Sequence, residues 1–360
     1  MIATLSRRAL NRATLARQLL LERSPMPALD AVRHLVGMQA QVPLNPYTGL
    51  WSRLEGFQPE ELAGLLIDRK VVRIVVMRAT IHLVTAEDCR SLRPLMQPIL
   101  VKELAHHRDY APALVDVDLE PVLTFAAGVF AESPRTGPQL RKALGERFPD
   151  LDAGALAYAC RCLLPLVQVP PRGVWGQTSQ VTVTTADAWL GRPIDTDPSI
   201  DDVMLRYLTA FGPASVADAA TWSRLTGLRE VFERLRPQLV TFRDERGREL
   251  FDLPDAPRPG GDVPAPARFL PEYDNLLLSH DDRSRFGSDE DRKLLYFSPG
   301  PVHGAVLSDG FVRATWALDR STLNVRHSGL DREARQELED EGARLLRFLG
   351  IPAGDVRLSG

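Results

Sequence analysis

Apolar positions along the chain change their spacing several times, and each change marks an element. Leu10, Leu15 and Leu19 recur at helical intervals behind Ser6, whose hydroxyl can cap a helix over residues 6–22. A second helix is expected after Pro27. It carries Leu29, Val32 and Val36 and stops at Gly37. Shorter helices fit residues 47–54 and 59–69. The period then falls to that of β structure: 71–77 and 80–84 are β-branched runs that read as a two-stranded hairpin. Thr85 with Asp88 predicts a capped helix behind it.

The same order recurs. Helices are expected over 119–131, 139–148 and 152–164, followed by β-rich stretches at 173–176 and 180–185. Further helices fit 201–210, 216–225 and 228–235, with Gly212-Pro213-Ala214-Ser215 as a break and cap. A hairpin over 240–253 turns at Arg246-Gly247. Three helices and a hairpin are the order of a winged helix, a helix-turn-helix with a β wing. The pattern therefore predicts an α+β chain of tandem winged-helix units at 1–115, 116–197 and 198–256. A proline-rich linker follows over 254–266. Strands over 268–278, 293–297 and 303–318 and a closing helix over 332–349 predict a β-rich C-terminal domain at 267–360, a small barrel or sheet.

Composition narrows the class. The 360 residues are 44% hydrophobic, enough for two to four units with their own cores. No apolar run is long enough to span a bilayer, and the N-terminus has neither an apolar signal core nor a cleavage site. A cytoplasmic chain without a membrane partner is expected. Cys89, Cys160 and Cys162 form no C-x-x-C pair, which fits a reducing compartment and argues against structural zinc. His106-His107 has no further ligand at metal spacing and reads as surface. The net charge of −3 does not announce nucleic acid, but it hides an asymmetry. Residues 1–110 hold 15 Lys and Arg against 10 Asp and Glu, whereas 260–360 hold 13 against 17. The N-terminal third is the better candidate for meeting phosphate.

The chemistry-bearing candidate is Gly37-Met38-Gln39-Ala40-Gln41-Val42-Pro43. Apolar residues alternate at 38, 40 and 42, and Pro43 pushes Val42 out of helical geometry. If the piece is extended, both glutamine amides project to one side, one pleat apart. A pair of exposed polar loop residues is the other reading of the same pattern.

This segment with the following Leu44-Asn45-Pro46-Tyr47 and Gly49-Leu50-Trp51 resembles the Gln-apolar-Gln signature of the AlkZ/YcaQ family of alkylpurine DNA glycosylases. Other stretches agree in order: Leu5-Ser6, Ala9 to Arg12, Met77 to Thr85, Arg206 to Leu208, Phe211 to Ser215, Trp222-Ser223, and Phe269 to His280 with Asp282-Arg283. The YcaQ branch has Asp at the second position, so Gln41 places the chain in the Gln-Gln branch. Ala79 stands where many relatives have glycine. The resemblance implies three tandem winged helices and a β-barrel, removal of N-alkylated purines, and unhooking of interstrand crosslinks in some members. It implies Gln39 and Gln41 as the catalytic residues. Arg78 and His82 beside the first hairpin turn are candidate DNA contacts, with a buried His82 as the alternative. The family inserts a C-terminal hairpin into the minor groove, which makes His280, Arg283 and Arg285 further DNA-binding candidates. Asp274-Asn275 reads as structural.

Amides suit this chemistry. A cationic N7- or N3-alkylpurine leaves without a general acid, so the protein needs only to position water and stabilise developing charge. The mechanism calls for no cofactor and no metal. Four lysines, none in a suggestive motif, argue against an amine nucleophile. The expected partner is double-stranded DNA carrying alkylated purines, bound by a monomer. The alternative from another class is a non-catalytic winged-helix DNA-binding protein or transcriptional regulator; a metal-dependent nuclease lacks a carboxylate–histidine cluster.

Overall fold

Ser6 caps the helix Arg7–Arg17, accepting a hydrogen bond from the Ala9 amide at 3.1 Å. In the computed structural model, which describes residues 2–288, 290, 291 and 302–360, the chain is α+β and divides into two units. The first comprises Met1–Gln58, Asp201–Trp222 and Thr226–Gly360, and the second Pro59–Ile200 with Ser223–Leu225.

The first unit is organised by its C-terminal sheet. Arg268–Leu270, Gly304–Ser308, Phe311–Asp319 and Thr322–His327 pair antiparallel in that order. Asp355–Ser359 then adds in parallel to Thr322–His327. The parallel pair needs a crossover, and the helix Arg332–Phe348 supplies it. Side chains on successive strand residues point to opposite faces. Phe269, Val306, Ala314 and Val325 pack with Leu338 and Leu345 of that helix. Leu270, Ala305 and Leu307 pack on the other face with Leu15 of the N-terminal helix and Leu276. Among the described residues the sheet is open. A smaller sheet joins Thr4–Leu5 in parallel to the hairpin Val240–Asp244 and Glu249–Asp252. Buried ion pairs tie distant segments together. Arg17 grips Asp252 at 2.6 and 2.9 Å, and Arg53 grips Asp274 at 2.8 and 2.9 Å.

The second unit carries an antiparallel sheet in the order Ile81–Thr85, Val71–Val75, Leu166–Gln168, Thr182–Thr185, Arg135–Thr136. Helices Glu120–Glu132, Gly137–Arg147 and Ala153–Leu163 close a core of Val122, Phe130, Leu140, Leu144 and Leu156. Thr136 and Gln139 form a full capping box. The three cysteines are free and buried. Burial pushes the Cys89 and Cys160 thiols up to about 12, so they stay protonated and inert.

Several expectations shift. The first helix ends at Arg17, because Leu19 turns to positive φ. The stretch 173–176 is turn, with Gly173 and Gly176 at positive φ. The strand expected over 268–278 stops at Leu270, before Pro271, and continues as the 3₁₀ turn Asn275–Leu278. The run 303–318 folds back at Asp309-Gly310, where Gly310 takes φ 78°. The strand expected over 293–297 lies outside the described residues.

A candidate catalytic recess at Gln39

The helix Ala28–His34 ends in a glycine stop. The Gly37 amide reaches back to the Val32 carbonyl at 3.0 Å, and Gly37 takes φ 92°. The reversal puts Met38–Gln39 into a short extended piece before the helix Asn45–Trp51. Met38 and Ala40 are buried, but the alternation stops there: Val42 is exposed, and only Met38–Gln39 is extended. The glutamines differ: Gln39 is 8% exposed, whereas Gln41 is exposed.

The loop 271–275 holds this piece. The Asn275 side-chain amide donates to the Gly37 carbonyl at 3.1 Å, and the Asn45 amide donates to the Glu272 carbonyl at 2.8 Å. Asp274 accepts the buried Arg53 guanidinium, and its carboxylate also accepts the Leu276 amide at 3.0 Å. Arg53 in turn donates to Gln18 Oε1 at 3.3 Å. Between these groups lies a recess of about 10 Å³, lined by Gln39, Gln18, Asn45, Arg53, Asp274 and Asn275 among others. That volume matches one water molecule, which needs about 10–15 Å³ and two to four polar partners. Tyr47, the nearest aromatic along the chain, is fully buried and does not line the recess. Asp274 and Asn275, read from sequence as structural, acquire a location: they anchor the strand that carries Gln39. Arg53 and Asn45 were not singled out by sequence reasoning. Asn45 at least lies within the quoted segment, but no local signal links Arg53 to a residue 221 positions away.

The other site candidates separate by burial. Arg78 is half-buried in the hairpin turn Met77–Ala79, and Arg283 is half-exposed on the 3₁₀ turn Arg283–Phe286. The remaining three point inward, and for His82 this is the buried alternative. His82 is fully buried: its Nδ1 donates to the Thr80 carbonyl at 3.0 Å and its Nε2 lies 3.3 Å from Arg78. Burial, reinforced by the Arg78 cation, pushes its imidazole down to about 3. His280 is buried 3.0 Å from the Phe211 carbonyl, and burial with the Arg285 cation lowers its pKa. Arg285 turns inward to Thr14 and the Pro213 carbonyl at 3.0 and 2.9 Å. All three side chains are committed to interior partners. No group of three or more His, Cys, Asp or Glu among the described residues is placed to hold a metal. No helix among them is long and apolar enough to cross a membrane.

Known proteins of similar sequence and fold are DNA glycosylases. The chain is 24% identical to an interstrand DNA cross-link repair glycosylase of Streptomyces sahachiroi, across 95% of this chain and 96% of that one. Its fold matches the solved structure of the DNA glycosylase AlkZ of Streptomyces sahachiroi with a TM-score of 0.82, at 22% identity, covering 99% of this chain and all of that one. The family model described as DNA glycosylase AlkZ-like matches residues 32–348, most of the chain and all of the Gln39 recess except Gln18. The chain therefore belongs to the AlkZ-like family of DNA glycosylases.

Proposed function

We propose that this glycosylase hydrolyses the N-glycosidic bond of cationic N-alkylated purines in double-stranded DNA, with Gln39 and Gln41 positioning the attacking water. The observation that supports the Gln39 part of the reading is the water-sized recess it lines; Gln41 lies outside that lining and is proposed to reach the water from the exposed side. An amide carbonyl accepts a hydrogen bond from water and orients it, though it is a feeble base. As the C1′–N bond breaks, its electron pair neutralises the purine cation and the sugar becomes oxocarbenium-like. The water oxygen then bonds to C1′, and its proton is lost to solvent. Weak basicity suffices because the leaving group needs no protonation. Selectivity for charged, labile lesions follows from the same fact.

The recess is far too small for a purine, and its lining contains no aromatic ring. Both features support attack with the base near the stack, without a snug pocket for a flipped base. Bulky adducts and interstrand crosslinks are then accessible substrates, in keeping with the cross-link repair named for the Streptomyces sahachiroi relative. Arg78 and Arg283 are the proposed DNA contacts, on a monomer of tandem winged-helix units. No metal or nucleotide enters the chemistry. The test is release of free base from a duplex containing N7-methylguanine, after dialysis against EDTA. The expected result is N7-methylguanine released and unmodified guanine retained. No release, or release only after a divalent ion is added, contradicts the reading.

A further inference from the structure

The loop between the extended Met38–Gln39 and the helix Asn45–Trp51 is apolar and turns outward. Val42 is 39% exposed and Leu44 42%, with Pro43 half-buried between them. Single exposed aliphatics are ordinary surface. Among the described residues, however, these two are the only large exposed apolar side chains within a few positions of each other. The surrounding stretch is also uncharged: no Asp, Glu, Lys or Arg occurs over 34–52, in a chain of which 25% is charged. The tip is stiff. The Asn45 amide donates to the Val42 carbonyl at 3.2 Å, and the Tyr47 amide to the Leu44 carbonyl at 3.1 Å. The Asn45 side chain is held by the Glu272 carbonyl, and Pro43 and Pro46 restrict the backbone. Val42 and Leu44 are thus held out of the core by the fold itself.

Their place in the chain decides what they meet. Successive Cα atoms are about 3.8 Å apart, so Leu44 lies within about 11 Å of Gln41, roughly three base-pair steps. The inference rests on the reading that Gln39 and Gln41 meet C1′ of the lesion. When they do, the surface facing Val42 and Leu44 is the duplex beside it. An uncharged tip offers no charge to a phosphate, and aliphatic groups suit sugars and base faces. The glycosidic bonds of a pair emerge on its minor-groove side, where apolar side chains can enter a base step and partly unstack it. We propose that Val42 and Leu44 form an apolar wedge that opens the base step next to the lesion. The wedge kinks the duplex and bares C1′ to the water, while the purine stays near the stack. It also makes excision depend on how firmly the neighbouring step is stacked.

Fluorescence and excision test this separately. A duplex carries 2-aminopurine beside an N7-methylguanine whose 2′-fluorine slows bond cleavage. Binding of the parent protein is expected to raise the 2-aminopurine emission, because unstacking relieves its quenching. Val42→Ser with Leu44→Ser is expected to bind without that rise. On the ordinary lesion its single-turnover excision should fall about tenfold, from the lost apolar contact. An abasic analogue next to the lesion opens the step in advance and should restore the variant to the parental rate, whereas a folding defect would slow both substrates alike. If the double variant does not fold, Leu44→Ser alone carries the test by losing part of the rise; serine is a favoured residue at this helix N-cap. Gln39→Ala should keep the rise whatever its excision rate, so failure of the water-positioning reading is seen apart from failure of the wedge. No rise with the parent protein, a parental rise with the double variant, or equal slowing on both substrates overturns the proposal.

Discussion

Buried polarity is handled in opposite ways around Gln39 and around His82 of the second unit. Near Gln39 it is charged, and the two Nη atoms of Arg53 are matched while its Nε is not among the described residues. Arg53 and Asp274 are almost fully buried, form two hydrogen bonds with each other, and engage Gln18 and the Leu276 amide. At two positions of the second unit it is neutral or unmatched: His82 is buried as an uncharged imidazole, and Gln168 Oε1 lacks a partner among the described residues, whereas Arg93 in the same unit is buried and matched by the Cys162 and Leu164 carbonyls. Matched charges fix geometry, which a site that positions one water requires. The first arrangement is costly to break, and the second is costly only when pH changes its balance.

The largest effect should come from breaking the matched pair. Asp274→Ala leaves Arg53 buried without its counter-charge and should cost about 3–5 kcal/mol, measured by urea denaturation. Replacing both partners, Arg53→Met with Asp274→Leu, should recover much of that stability, because burying the pair is itself expensive. Excision should remain impaired in the double variant, since the anchor of the Gln39 strand is gone. Full activity in the stable double variant would show that the pair does not position the recess.

A smaller effect comes from acid. The folded state holds His82 near 3 against an ordinary value of 6.5, so the unfolded chain takes up the proton first. The stabilisation from neutral His82 is whole above about pH 6.5 and is lost as pH falls towards about 3. At pH 5 the loss should be about 2 kcal/mol. His280, also lowered, adds a loss of the same sign. His82→Asn, which keeps a donor for the Thr80 carbonyl, should flatten the difference between pH 7 and pH 5 by about that amount. An unchanged slope in that variant would contradict the assignment.

The smallest effect concerns the hairpin turn above His82. Arg78 and Ala79 both take positive φ, at 57° and 58°. A side chain there costs about 1–2 kcal/mol, partly offset by the entropy of a glycine. Ala79→Gly should stabilise by about 1 kcal/mol, raising the melting temperature by a few degrees. A lower melting temperature would mean that the turn is not strained.

Legibility from sequence follows the range of the interactions. Caps act over three residues, so Ser6 and Thr85 marked the starts of their helices. Gly37 and the alternation gave the extended Met38–Gln39 and the buried Met38 and Ala40, but not the exposed Val42. The unequal burial of Gln39 and Gln41 was not legible, because it depends on Asn275 bonding Gly37 across 238 positions. Thr322–His327 and Asp355–Ser359 escaped for the same reason: short strands rich in Arg, Asn and Ser owe their conformation to sheet partners and to the helix between them. For His82 the sequence left contact and burial open, and for His280 and Arg285 it left a surface loop as the expectation. Burial of His82, His280 and Arg285 is decided by long-range packing, which local pattern does not encode.

The central claim is that two amides position the attacking water. Its most direct test is the single-turnover rate of N7-methylguanine excision by Gln39→Ala and by Gln41→Ala, with DNA affinity and melting temperature measured alongside. Loss of one positioned hydrogen-bond partner should slow each variant about 10²–10³-fold while affinity and stability stay near those of the parent. Excision at the parental rate by both variants would contradict the account.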